Sequence, residues 1–165
     1  MRPESERIVF RELIANDVEN IQQIFSDPVA MEFYPSTKSV KETEEWINWN
    51  RKLYMETQVG LWALIEKSSG NFLGQCGLVL QNDVAGNNEF EIGYLLVRKY
   101  WGKGYAGEAA LAVKQFALSE FGLDRIISLI APENSQSLKV AEKIGFTYEQ
   151  NIKRWGKIIA VYSNQ

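Results

Sequence analysis

The chain has 165 residues, 45% of them apolar and 24% charged, with a net charge of −3, a single cysteine and no histidine. That length and balance suit one domain with a sizeable core, and the acidic excess argues against a nucleic-acid partner gripped by a broad basic face. The lack of histidine excludes Ser-His-Asp and Cys-His catalysis and most zinc sites, and Cys76 has no partner for an internal disulfide.

No apolar run approaches the roughly 18 residues that a membrane span needs, and the start, MRPESER, is polar. The expectation is a cytoplasmic protein with no membrane partner and no metal. No repeat, low-complexity tract or linker divides the chain, so residues 1–165 are expected to form one domain.

In chain order, Ile8–Leu13 reads as a short strand. Asn16-Asp17-Val18-Glu19 offers a capping box, and Val18, Ile21, Ile24 and Phe25 then recur at helical spacing until Asp27-Pro28 stops the helix. Met31–Lys38 has no clear period and reads as a loop. Ser39-Val40-Lys41-Glu42 is a second capping box, opening a helix with Trp46, Trp49 or Asn50, and Leu53 along one side and ending near Gln58.

Leu61–Glu66 and Phe72–Leu80 read as strands joined at Ser68-Ser69-Gly70-Asn71, a hairpin signal. Gln81–Asn88 is a second turn, followed by the strand Phe90–Val97. A basic loop with two glycines comes next, then a helix from about Tyr105 that ends before Gly122. Arg125–Ala131 is a near-continuous apolar run, the mark of a strand covered on both faces. A short helix over Asn134–Ile144 closes at Gly145-Phe146, and Thr147–Trp155 with Lys157–Ser163 forms a last hairpin. The order β-α-α-β-β-β-α-β-α-β-β predicts a mixed α/β (α+β) sheet flanked by helices.

The chemistry concentrates in Glu91–Leu111, EIGYLLVRKYWGKGYAGEAAL. Gly102 and Gly104 stand where strand gives way to helix, and a helix start leaves about four amides unpaired and carries about half a positive charge. Glycines there admit a ligand close to the backbone, so the loop reads as a phosphate seat, with Arg98, Lys99 and Lys103 adding cationic charge. Gly102–Gly107 also matches G-x-G-x-x-G, but the dinucleotide fold wants its glycines directly after the first strand and an acidic residue at the end of the next. Here basic residues separate strand from glycines, Asp124 precedes the next strand and Glu133 lies too far along. A dinucleotide-binding protein is kept only as an alternative.

The same loop, Lys99-Tyr100-Trp101-Gly102-Lys103-Gly104, resembles the acyl-CoA loop Q/R-x-x-G-x-G/A of the GNAT acyltransferase superfamily, with lysine in the first place. EIGYLLVRKYWGKGYAGEA is similar to the version found in its RimJ/RimL-like branch, the ribosomal-protein N-acetyltransferases. Asn134–Leu138 with Glu142–Phe146 resembles that branch's N-x-x-S…E-K-x-G-F helix, and RIVFRELIANDVENIQQIFSDPVAMEF its opening. The last strand, KIIAVYSNQ, lacks the aspartate that the branch often carries there.

The resemblance implies a mostly antiparallel sheet of six to seven strands, splayed between the fourth and fifth, with about four helices and acetyl-CoA as cofactor. Leu96 and Val97 would offer backbone groups to the pantetheine arm. The diphosphate would lie on the amides of Gly102, Lys103, Gly104, Tyr105 and Ala106. Asn134 matches the position that touches pantetheine, and Lys139 or Lys143 would approach the phosphates. Trp62 would wall the acceptor pocket, and the loop holding Glu32 and Tyr34 would shape acceptor choice. The implied reaction is acetyl transfer to a primary amine, on a protein terminus or a small molecule, by direct attack in a ternary complex.

Without histidine, the expected proton acceptor is a carboxylate acting through water. Glu91 is the candidate, on the strand face opposite Phe90, Ile92 and Tyr94. Many members of the superfamily protonate the thiolate with a tyrosine seven residues after the asparagine; here that position is Ala141, so Ser137 is the candidate partner for the sulfur. A non-catalytic acyl-CoA sensor is the rival reading. The amine acceptor and the oligomeric state stay open, homodimers being common in the family.

Overall fold

The computed structural model describes Met1–Gln165. Seven strands and four helices follow in the expected order: β1 (Ile8–Arg11), α1 (Val18–Phe25), α2 (Val40–Thr57), β2 (Leu61–Glu66), β3 (Phe72–Val84), β4 (Asn87–Leu96), α3 (Tyr105–Ser119), β5 (Ile127–Ile130), α4 (Ser135–Lys143), β6 (Thr147–Arg154) and β7 (Lys157–Ser163). They build one sheet in the order β1-β2-β3-β4-β5-β7-β6, antiparallel except where β4 meets β5. No helix is long and apolar enough to cross a membrane.

The parallel junction is the weak point of the sheet, because β4 and β5 share a single registered pair, Glu91 with Ile127. Beyond it the strands diverge and side chains replace the ladder. Ser128 Oγ donates to Ile92 O at 3.2 Å, and Leu129 N donates to Glu91 Oε2 at 3.2 Å. Farther along the split, the Tyr94 hydroxyl reaches Ser137 O on α4 at 2.9 Å.

Register divides the sheet's two faces. Trp62, Cys76 and Tyr94 lie side by side across β2, β3 and β4, and Trp62 packs edge-on against Phe116 of α3 at 5.6 Å. Ala63, Gln75 and Leu95 share the opposite face, where Trp46 of α2 donates its indole N–H to Gln75 Oε1 at 3.0 Å. Apolar side chains fill both layers, among them Ile8, Ile21, Ile47, Leu64, Leu73, Val113 and Phe146, all 3% exposed or less.

Local chemistry explains most element ends. Ser39 and Glu42 form the expected capping box, with Ser39 Oγ accepting from Glu42 N at 3.1 Å and Glu42 Oε1 from Ser39 N at 2.9 Å; such a cap contributes about 1 kcal/mol. At the end of α4, Gly145 takes φ +88°, its N–H meets Glu142 O, and Phe146 N meets Ala141 O, which closes the helix with Phe146 buried.

Three expectations need correction. The first box does not form between Asn16 and Glu19: Asp17 is buried instead and accepts from Arg11 through both oxygens (2.8 and 2.9 Å) and from Ile14 N. A guanidinium reaching from β1 outcompetes the local cap. On α2 the buried residues are Thr43, Ile47, Asn50 and Tyr54, so Trp49 and Leu53 are not on the core stripe, because Asn50 and Tyr54 bond the main chain of Leu61. The broad turn at Gln81–Asn88 is a tight one, with β3 running on to pair Val84 with Asn87 around Ala85 (φ +49°) and Gly86 (φ +88°).

Candidate active site

Between the end of β4 and the start of α3 the backbone is shaped by its glycines. Gly102 has φ +76° and Gly104 φ +82°, conformations that L side chains resist. The turn is stitched to β4 by Trp101, whose indole N–H donates to Leu96 O at 3.1 Å. The first main-chain bond of α3 is Glu108 N to Gly104 O at 3.1 Å, so the amides of residues 102–107 donate to no protein group. A row of unpaired N–H groups at a helix start is an anion seat.

These amides end a cleft of ≈ 480 Å³. One wall is Tyr94, Leu95 and Leu96 of β4, and the other is Asn134, Ser137 and Val140 of α4. Gly102, Gly104, Tyr105 and Ala106 line one end, with the Lys143 side chain beside Gly107, and Lys139, Glu32, Phe33 and Tyr34 also line the cleft. The structure thus brings together Leu96, Gly102, Gly104, Tyr105, Ala106, Asn134, Ser137, Lys143, Glu32 and Tyr34. Asn134 caps α4 by accepting from Ser137 N at 3.2 Å, which leaves its amide N–H groups for the cleft.

Four expected residues sit elsewhere. Trp62 is 1% exposed, locked against Phe116, and does not wall the cleft. Val97 is not in the cleft lining, its N–H donating to Leu73 O and its carbonyl accepting from Tyr100 N, both at 2.9 Å. Lys103 contributes main chain to the loop, but its side chain lies outside the cleft lining. Arg98, expected beside the phosphates, pairs with Asp27 beyond the end of α1 at 3.0 Å.

Glu91 is not among the residues that line the cleft; it stands at the closed end of the split, on the face shared with Gly93 and Leu95, and is half-buried. Its oxygens accept from Gln81 Nε2 at 2.9 Å and from Leu129 N at 3.2 Å. Arg154 of β6 donates to the other end of the same amide, Gln81 Oε1, at 3.1 Å. Burial lifts the Glu91 carboxyl to about 7, against the opposing pull of Gln81, Leu129 N–H and the Arg154 charge. No cation pairs with it directly. A carboxylate poised near neutrality can exchange protons at physiological pH.

Sequence reasoning missed Tyr94, Leu95, Gln81 and Arg154. Tyr94 reads as core by strand alternation, and its hydroxyl bond to α4 exists only because the split lets the helix approach. Gln81 falls in the stretch that reads as a turn. Cys76 is fully buried and its thiol is pushed up by burial, so it is packing rather than an acyl carrier.

A family model described as an acetyltransferase (GNAT) domain matches residues 7–147. The chain belongs to the GNAT acetyltransferase family. Among its relatives, YkkB of Bacillus subtilis is 42% identical over 142 residues, covering 86% of this chain and 82% of that protein. A GNAT-family acetyltransferase from Bacillus anthracis superposes with a TM-score of 0.84 at 27% identity, covering 99% of this chain and 97% of the other. RimL, a ribosomal L7/L12 α-N-protein acetyltransferase solved with coenzyme A, has a TM-score of 0.77 at 16% identity over 98% and 95% of the two chains, a likeness of fold. This chain is thus a GNAT acetyltransferase by sequence and by architecture.

Proposed function

We propose that this protein is an acetyl-CoA-dependent N-acetyltransferase that transfers an acetyl group to a primary amine by direct attack in a ternary complex. The observation that carries the reading is the row of undonated amides at residues 102–107, at the end of a cleft also lined by the Glu32–Tyr34 loop. The seat fits a diphosphate. Both glycines are left-handed, nothing lies within 4 Å of where a Cβ on Gly102 would stand, and Lys143 borders the same end. The family's CoA chemistry and the RimL complex support the same assignment.

When bound, acetyl-CoA supplies an activated thioester carbonyl. The amides of Gly102 to Ala106, with Lys143, hold the diphosphate, and Tyr94 to Leu96 face Asn134 and Ser137 across the space left for the pantetheine arm. Glu91 takes the proton of the incoming amine through water, and its carboxyl near 7 suits that task. Ser137 Oγ donates a hydrogen bond to the departing sulfur from the first turn of α4. An α-amino group, with a pKa of about 8, yields its proton to such a base more readily than a lysine at about 10.4. The acceptor is therefore a protein α-amine, as RimL's name states for RimL, or a small-molecule amine of similar basicity. The acidic Glu32 at the cleft favours a cationic acceptor.

The test is thiol release from acetyl-CoA with a panel of α-amino peptides, amino acids, polyamines and aminated antibiotics. Amine-dependent release, fastest with an α-amine, is expected. Tight CoA binding with release at the no-enzyme rate across the panel would make the protein a sensor instead.

A further inference from the structure

The diphosphate seat is not self-supporting. Arg7, just before β1, reaches it from 96 residues away in sequence. Its main chain is fixed on both sides, the N–H donating to Glu108 Oε1 at 2.7 Å and the carbonyl accepting from Lys67 N at 2.8 Å. Its guanidinium then makes three contacts with the loop and with the first turns of α3. Nε donates to Glu108 Oε2 at 2.7 Å, Nη2 donates to Lys103 O at 3.1 Å, and Cζ lies 4.1 Å from the Tyr105 ring centroid. The hydroxyl of that ring donates to Glu66 Oε2. Nη2 would also stand 3.5 Å from a Cβ placed on Gly104.

The charge arrangement gives these contacts a purpose. Glu108 is an anion in the helix turn whose N-terminal field would hold the diphosphate, so a free carboxylate there would compete for that field and repel the ligand. Both of its oxygens are instead taken by Arg7. The Lys103 carbonyl, a negative dipole between the two glycines, is likewise bonded away by Nη2, which fixes the plane of the following peptide and hence the direction of the Gly104 N–H.

We infer that Arg7 is a positioning residue for the cofactor: it neutralises Glu108 and anchors the Lys103 peptide so that the amides of residues 102–106 present an uncontested anion seat. The inference rests on the diphosphate lying at that loop, as proposed above.

The test separates the two by comparing CoA with pantetheine, which lacks the diphosphate, by calorimetry on wild type, Arg7→Met, Arg7→Lys and Arg7→Met/Glu108→Gln. Wild type should bind CoA more tightly than pantetheine. Arg7→Met should lose about tenfold in CoA affinity with pantetheine affinity unchanged. The second change, Glu108→Gln, should restore most of the loss, and Arg7→Lys should fall between. Equal wild-type affinity for the two ligands would remove the seat from this loop and the inference with it. Wild-type discrimination with no CoA loss in Arg7→Met would overturn the inference alone. So would equal losses of both ligands, which mark a general effect on folding; Arg7→Lys, keeping the charge, guards against a variant that fails to fold.

Discussion

The proposed diphosphate seat consists of main-chain amides from one unbroken stretch, residues 102–107, left unpaired by a helix start and two left-handed glycines. The proposed base is one side chain outside the cleft lining, Glu91, set by Gln81 from β3, Leu129 from β5 and Arg154 acting through Gln81 from β6. A seat made of backbone takes its shape from local conformation, with the Arg7 side chain as its distant support. A base made of a carboxylate depends on burial and on partners from three other strands, so its strength is a property of the closed sheet. Seat and base should therefore fail differently when altered.

The largest effect is expected from Glu91→Gln, which keeps shape and removes the base. Turnover should fall about 10²–10⁴-fold while CoA affinity stays at the wild-type value, as steady-state kinetics and calorimetry would show. A fall in CoA affinity of the same size would erase the distinction between seat and base. The same variant bears on stability. The folded carboxyl titrates near 7 and the unfolded one near 4.5, so the fold holds the proton more tightly and wild type loses stability as pH rises through that window. Glu91→Gln should accordingly melt higher than wild type at pH 8, with the gap closing toward pH 4.

Gly104→Val is the converse probe. It forces a β-branched residue into φ +82° at the seat, and CoA affinity should drop about 100-fold. Unchanged affinity would move the diphosphate elsewhere. Ser137→Ala removes one hydrogen bond to a developing anion and should cost about tenfold in kcat with little change in KM. The smallest change is expected from Gln81→Leu. It deletes a donor that holds the Glu91 carboxyl down, so the acid limb of kcat/KM should move to higher pH, with only a few-fold loss at pH 8. A limb that stays put would mean that Gln81 does not tune the base.

How far the site could be read in advance follows the same division. The glycine loop, the start of α3 at Tyr105 and the closure of α4 at Gly145-Phe146 depend on residues adjacent in sequence, and all stand where their chemistry places them. Glu91 could be assigned to a strand face by alternation, but not its environment. The bridging Gln81 sat within an apparent turn, and Arg154 is 63 positions away, counting from Glu91. Trp62 misled for the same reason: its strand was right, but only Phe116 of α3 decides that the ring faces the core.

By itself, the sequence determined the order of strands and helices, the glycine turn, the Ser39 cap of α2 and the Gly145 closure of α4, because each depends on φ preferences and hydrogen bonds within a few residues. The tertiary structure alone decided that β4 and β5 part after one pair, that Glu91 is buried to near-neutral acidity, and that Arg7 quiets Glu108 beneath the loop. Those outcomes need charges and dipoles from distant segments brought within 3–4 Å, a distance at which desolvation and Coulomb terms outweigh any local preference.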